Sequence, residues 1–152
     1  MKKNSFIVGL LLILFSGVIS FTNASVIGNV QVKKSTELDS TYTSNLIGVS
    51  LNSKVDFRIL ISTSTIGNFA GNITLPSGFL LFGTVSIGAK NTCITNINSS
   101  GNNGVGFSFT NGGGTCKVEL LGTYIVNSLG IKTITSTYND GTTIYPFDNI
   151  FI

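Results

Sequence analysis

The sequence has no histidine and no tryptophan, and only one arginine, one glutamine, one methionine, two glutamates and three alanines in 152 residues. Histidine is the side chain that most often acts as general base and metal ligand near neutral pH. Its absence removes the usual base from Ser and Cys nucleophilic mechanisms and the usual nitrogen ligand from zinc sites. The shortage of Ala, Glu, Gln, Arg and Met takes away the best helix formers. Charge is scarce as well, at 10% of the chain against ~25% in ordinary globular proteins. What fills the space is 18 Ser, 18 Thr, 16 Asn and 18 Gly, together with Ile, Val and Phe. That mixture favours short strands joined by turns. The length allows one domain rather than two.

The first residues read as an address. Lys2 and Lys3 precede an apolar run from Phe6 to Phe15, and Thr22-Asn23-Ala24 follows a small-residue stretch. This order of charge, apolar core and small residue is that of a secretory signal peptide, with cleavage expected after Ala24. The apolar core is short of the ~20 residues that span a bilayer. Residues 25–152 then form the mature domain, with 7 basic and 6 acidic side chains. The basic balance of the whole chain is mainly the leader's own, so a nucleic-acid partner has no electrostatic support. The expected location is secreted, periplasmic or cell-surface, with no membrane span after cleavage.

Cys93 and Cys116 are the only cysteines. In an oxidising compartment two cysteines read as a disulfide. A zinc site would need two further ligands and no histidine exists.

Along the mature chain, strand signals recur between Gly, Asn, Asp and Ser clusters. Val26–Lys34 reads as a strand and Ser35–Ser44 as a loop. Leu46–Leu51 reads as a short strand. Val55, Phe57, Ile59 and Ile61 share one face of another, with Asp56 and Arg58 toward water. Asn72–Leu75 leads to a Pro76-Ser77-Gly78 turn, then Phe79–Ile87 reads as one strand. Thr92–Ile97 carries Cys93, and Ser99–Gly104 reads as a loop. Val105, Phe107 and Phe109 alternate on a strand that ends in a flexible Asn111–Gly114 turn. Cys116, Val118 and Leu120 alternate with outward Lys117 and Glu119. Ile131–Tyr138 and Thr143–Ile152 are the last strands, around an Asn139-Asp140-Gly141 turn, with Pro146 implying an edge or a bulge. Eight to ten short strands without a helix predict a β-sandwich of two antiparallel sheets, with a small barrel as the alternative.

The stretch from Ile73 to about Ile134 resembles the Ig-like conserved-repeat domains of bacterial surface proteins, a family of unknown function. Thr74-Leu75-Pro76-Ser77-Gly78-Phe79 is similar to the family's LPxG strand–turn. Asn91-Thr92-Cys93 and Gly114-Thr115-Cys116-Lys117-Val118 are similar to its two cysteine segments, and Gly130 to a late glycine. The resemblance implies an Ig-like sandwich around paired cysteines and carries no catalytic residues. The chain departs from the family at Ile131-Lys132-Thr133, where an aromatic residue and then Asn are usual, and in having a single copy.

Candidate chemistry is sparse. The six carboxylates of the mature chain are Glu37, Asp39, Asp56, Glu119, Asp140 and Asp148. They read as solvated loop and strand charges without calcium-loop or paired-acid spacing. Lys33, Lys34, Lys54, Lys90, Lys117 and Lys132 are the only bases that a Ser or Thr nucleophile has. Gly112-Gly113-Gly114 lacks the Lys-Ser/Thr of a phosphate loop. Asn72 and Asn98 head glycosylation sequons. No catalytic, cofactor-binding or metal-ligating residue is expected. The resulting expectation is a non-enzymatic structural or binding protein of the cell exterior. Rival readings are a fibre subunit that donates Val26–Lys34 or Ile144–Ile152 to a neighbour's sheet, and a secreted inhibitor or carbohydrate-binding module. Expected partners are a surface glycan, a protein, or a second copy of the chain.

Overall fold

The computed structural model describes residues 26–45, 47–101, 103–139, 144–146 and 150–151. The expected leader and most of the Asn139-Asp140-Gly141 turn lie outside the described residues, as do Leu46, Asp140 and Asp148. In chain order the strands are β1 (Val26–Lys34), β2 (Lys54–Thr63), β3 (Gly67–Thr74), β4 (Phe79–Leu81), β5 (Ser86–Ile87), β6 (Ile94–Gly101), β7 (Gly104–Asn111), β8 (Cys116–Val126), β9 (Thr133–Asn139), β10 (Ile144–Pro146) and β11 (Ile150–Phe151). A single 3-10 turn spans Asp39–Thr41, and no α-helix occurs among the described residues.

The strands form two antiparallel sheets. The first runs β1-β2-β8-β4, with β5 also on β8; the second runs β10-β9-β3-β7-β6, with β11 also on β9. Alternation explains which side chains meet between them. Val55, Phe57, Ile59 and Ile61 of β2, and Val118, Leu120, Tyr124 and Val126 of β8, point in from the first sheet. Phe69 and Ile73 of β3, Val105, Phe107 and Phe109 of β7, and Ile134 and Tyr138 of β9 answer from the second. Each such side chain contributes roughly 1.5–3 kcal/mol on full burial. Each sheet brings its own stack of rings. Phe79 lies on Tyr124 at 4.8 Å with Phe57 beyond, and Phe69 lies on Phe109 at 4.7 Å. Burial pushes the Tyr124 phenol far up, and among the described residues its hydroxyl finds no hydrogen-bond partner.

Two rings close on glycines across the ladder. Phe57 pairs with Gly122 in the first sheet, and Phe107 pairs with Gly71 in the second. A Cβ on either glycine would overlap the facing ring. Gly71→Ala and Gly122→Ala are therefore expected to cost about 1–3 kcal/mol each through overpacking. Gly112→Ala, with nothing within 4 Å of a new Cβ, should stay within ~0.5 kcal/mol of the parent. Urea denaturation of the three variants checks this ordering.

Several expected elements take another form. Ile47 and Val49 of the expected Leu46–Leu51 strand pair with no strand among the described residues; half-buried, they pack against the core. The backbone there turns through Asn52 at φ 62°. The expected Phe79–Ile87 strand is broken into β4 and β5 by Gly83 at φ 81°. Of the expected Ser99–Gly104 loop, Ser99–Gly101 belong to β6 and Gly104 to β7, while Asn102 lies outside the described residues. The β6–β7 ladder continues to Gly101 opposite Gly104, with a bulge between Ile97 and Ser99.

Candidate functional site

The densest group of interacting polar side chains lies on the outer face of the first sheet. Register puts Lys33 opposite Asp56 and Asp56 opposite Thr123, one row across three strands. The neighbouring row is Gln31, Arg58 and Leu121. The segment after β1 folds back over these rows, pinned where Val32 and Thr43 exchange two backbone hydrogen bonds of 2.9 Å. That cover buries Lys33 to 4% exposure although it points outward.

Lys33 Nζ donates to Asp56 Oδ2 at 2.8 Å and to the Glu37 carbonyl at 3.0 Å, and Asp39 lies 3.6 Å away. Ser35 Oγ and Thr123 Oγ1 donate to Asp56 Oδ1 at 2.6 and 2.8 Å. Arg58 donates from Nε and Nη2 to Gln31 Oε1. The Tyr42 ring lies against both cations, 4.4 Å from Arg58 and 5.3 Å from Lys33. Asp56 and Arg58 are thus half-buried members of a network rather than side chains free in water.

Burial works to raise the Asp56 carboxyl, but hydrogen bonds from Lys33, Ser35 and Thr123, and the Lys33 charge, hold it below the ordinary carboxylate range. Burial works to lower the Lys33 ammonium, but the Asp56 hydrogen bond and charge hold it above its ordinary range. Burial and the Asp56 charge raise the Tyr42 phenol. The signs fix the pH response. A depressed carboxylate contributes stability above its unfolded pKa of about 3.9 and loses it as pH falls through the folded value. A raised ammonium contributes below about 10.4 and loses it as pH rises through the folded value. Asp56→Asn is therefore expected to flatten the fall of the urea midpoint below about pH 4. A fall as steep as the parent's would assign acid loss to other groups.

Beside Asp56 is a polar hollow of about 230 Å³ lined by Tyr42, Asp56, Thr84, Ser86 and Thr123. An apolar groove of about 340 Å³ lies between Ile47, Val49, Phe79, Val126, Leu129 and Ile131.

The structure distributes the expected site residues differently from a plain strand reading. Glu37 and Asp39 join Asp56 around Lys33, the first through its backbone carbonyl. Glu119 was expected outward in water, yet it is 4% exposed. The 88–92 turn roofs it: Lys90 N–H donates to its carboxylate at 2.8 Å, and Gly88 N–H to its backbone carbonyl. Asp56 and Glu119 sit in different rows of the β2–β8 ladder, opposite Thr123 and Leu60. Among the described residues no group of three or more His, Cys, Asp or Glu could hold a metal ion.

Cys93 and Cys116 are bonded, with Cα atoms 5.1 Å apart. Cys93 precedes β6 of the second sheet and Cys116 opens β8 of the first, so the bond ties one sheet to the other. The residues before Cys93 are stitched to β8 too. Thr92 and Cys93 N–H groups donate to the Lys117 carbonyl, and Lys117 N–H donates to Thr92 Oγ1. Asn91 Nδ2 donates to the Cys93 carbonyl, and its Oδ1 accepts from Thr95. At the same pole Asn111, expected only as the start of a flexible turn, is a buried hub. Its Nδ2 donates to the carbonyls of Thr63, Thr65 and Gly114, and its Oδ1 accepts from Gly113 N–H. An Asn closing a strand before three glycines was the one available sign.

Charge is divided between the sheets. Lys33, Lys34, Lys54, Asp56, Arg58, Lys117 and Glu119 all lie on β1, β2 and β8, whereas no strand of the second sheet carries a charged residue.

No family model matches the chain, and no curated protein matches it. Solved structures do match in fold. The pilus backbone RrgB of Streptococcus pneumoniae superposes with a TM-score of 0.51 at 10% identity, over 74% of this chain and 31% of that one. The BspA_C_WT structure gives 0.57 at 9% identity, over 84% of this chain and 50% of that one. The chain thus spans half or less of each neighbour. The fold is an Ig-like β-sandwich of two antiparallel sheets.

Proposed function

We propose that this chain is a structural or binding domain displayed outside the cell, exported behind a leader that ends at Ala24 and without catalytic activity. The observation that carries this reading is the Cys93–Cys116 bond joining the two sheets of an Ig-like sandwich. Such a bond persists in oxidising compartments and is rare in reducing ones. The fold likeness to a pilus backbone supports the same reading. The Lys33–Asp56 pair supports a non-enzymatic role: each group is held in its charged form by the other, so neither is poised to exchange a proton near neutral pH. Among the described residues no helix is long and apolar enough to cross a membrane.

The test is the start of the exported protein. Mass spectrometry is expected to give a chain beginning at Ser25 that remains accessible to protease on intact cells. A product that begins at Met1 and stays inside the cell would overturn the reading.

The rival readings fare unequally. Strand donation needs a terminal strand without a place of its own. Here β1 pairs with β2 over nine residue pairs, and β10 and β11 pair with β9. An inhibitor needs a rigid protruding loop, and the Ser99–Gly104 stretch that could have supplied one is largely taken into the β6–β7 ladder. The carbohydrate-binding reading draws on the second sheet.

A further inference from the structure

We infer that the outer face of the second sheet is a docking surface for a neutral polysaccharide; this deepens the surface-binding reading above and rests on it. The face is built from alternation. Phe69, Gly71, Ile73, Phe107 and Phe109 turn inward, which leaves Asn68 and Asn72 of β3, Ser108 and Thr110 of β7, Asn96 of β6 and Thr137 of β9 outward, with Ile94 of β6 the one large apolar side chain among them.

These groups form rows across the sheet. One row is Thr137, Asn72, Gly106 and Ser99; the next is Asn139, Ala70, Ser108 and Asn96. Rows repeat every ~6.8 Å along the strands, with ~4.8 Å between strands. Gly106 and Ala70 keep the surface flat. Lateral hydrogen bonds hold part of the lattice in place: Thr110 Oγ1 to Asn68 Oδ1 at 2.7 Å, and Ser108 Oγ to Asn98 Oδ1 at 3.1 Å.

Charge decides the partner. Charges of both signs on roughly a quarter to a third of the residues are what keep a surface soluble and free of partners. This face carries none on its strands, while the other sheet carries seven. Even β6, an edge strand, lacks the lysine that commonly protects such edges and has only its bulge. An anionic or cationic polymer gains nothing from a face without charge. A protein partner is matched by aromatic, Met and Arg anchors, and the outward residues named here include none. A neutral polymer of hydroxyl groups needs alternating donors and acceptors on a flat support. Amides and hydroxyls in rows supply them.

The test uses the mature protein with microcrystalline cellulose, chitin and cross-linked dextran at 0.05 and 1 M NaCl. Retention on at least one polymer is expected, equal at both salt concentrations. Asn72→Lys with Ser108→Lys should weaken it at least tenfold, and Thr36→Lys, on the loop after β1, should leave it unchanged. Thermal melts confirm that the variants fold. Where the double variant does not, amide shifts of the unaltered protein titrated with cellohexaose and chitohexaose should move on β3, β6 and β7. No retention on any polymer, retention that falls with salt, or shifts confined to the first sheet would overturn the inference. So would a wild-type dimer in sedimentation velocity that the double variant abolishes, because the face would then belong to a second copy. Display is read from the Ser25 terminus, so it stands or falls separately.

Discussion

Asn111→Asp is expected to cost about 3–5 kcal/mol, the range for a buried charge left without a partner, or to prevent folding at 37 °C. The side chain is 3% exposed and its Nδ2 faces three backbone carbonyls, with the Gly114 oxygen at 2.8 Å and the Thr65 oxygen at 3.1 Å. A carboxylate differs by one atom, yet it brings an acceptor where a donor is required. Three carbonyls lose their donor, and a negative charge is placed against them without water. Only the contact from Gly113 N–H survives. The pH response separates this mechanism from a simple loss of packing. Burial raises the new carboxyl above its unfolded pKa of about 3.9. The penalty is then smallest at low pH, where the protonated acid donates one hydrogen bond, and grows as pH rises through the folded value. Asn111→Ala lacks that dependence. Urea midpoints at pH 4 and 7 for both variants check it; equal losses for Asp and Ala at both pH values would refute the hub.

Cys93→Ser with Cys116→Ser is expected to cost about 2–5 kcal/mol, and reduction with dithiothreitol should cost the same. The cysteines are 23 positions apart, so loop closure alone is worth roughly 3.5 kcal/mol. The enclosed segment is the β6–β7 hairpin followed by Asn111–Gly114, rich in Gly, Asn and Ser. Its unfolded chain is unusually free. Without the bond, the edge strand β6 keeps its ladder to β7 but loses its covalent tie to the first sheet. The Asn111 hub and the disulfide hold the same pole, so their losses should not add. A change below 0.5 kcal/mol in the urea midpoint of the double variant would show that the hydrogen bonds of Asn91, Thr92 and Asn111 hold the pole without the disulfide.

The sandwich was legible where a strand is half-buried. Val55, Phe57, Ile59 and Ile61, and Val105, Phe107 and Phe109, alternate without interruption and take the buried positions. Alternation failed where neighbours outside the ladder decide burial. Glu119 occupies an outward position, but the 88–92 turn closes over it. Lys33 is outward too, and the segment after β1 covers it. Ser99–Gly101 reads as a loop because edge residues exposed on both faces need no apolar alternation. The Lys33–Asp56–Thr123 row depends on register between three strands far apart in sequence. The charge-free strands, by contrast, are written in the sequence itself. Their meaning appeared only when topology gathered β3, β6, β7 and β9 into one sheet.

The placement of the first and last described strands has a mechanical consequence. β1 starts with Val26 opposite Thr63, at the pole of the disulfide, and β11 ends with Phe151 opposite Thr133, at the other pole. Tension between these points pulls along the strands. In an antiparallel ladder the hydrogen bonds stand perpendicular to the strands. Such a pull loads the nine residue pairs of β1 and β2 in shear, all together, rather than opening them one after another like a zip. The disulfide lies between Cys93 and Cys116, so the β6–β7 hairpin cannot pay out as slack even after β1 has slipped. Under such a pull the β1–β2 ladder is therefore expected to hold as a unit and to give way in a single step.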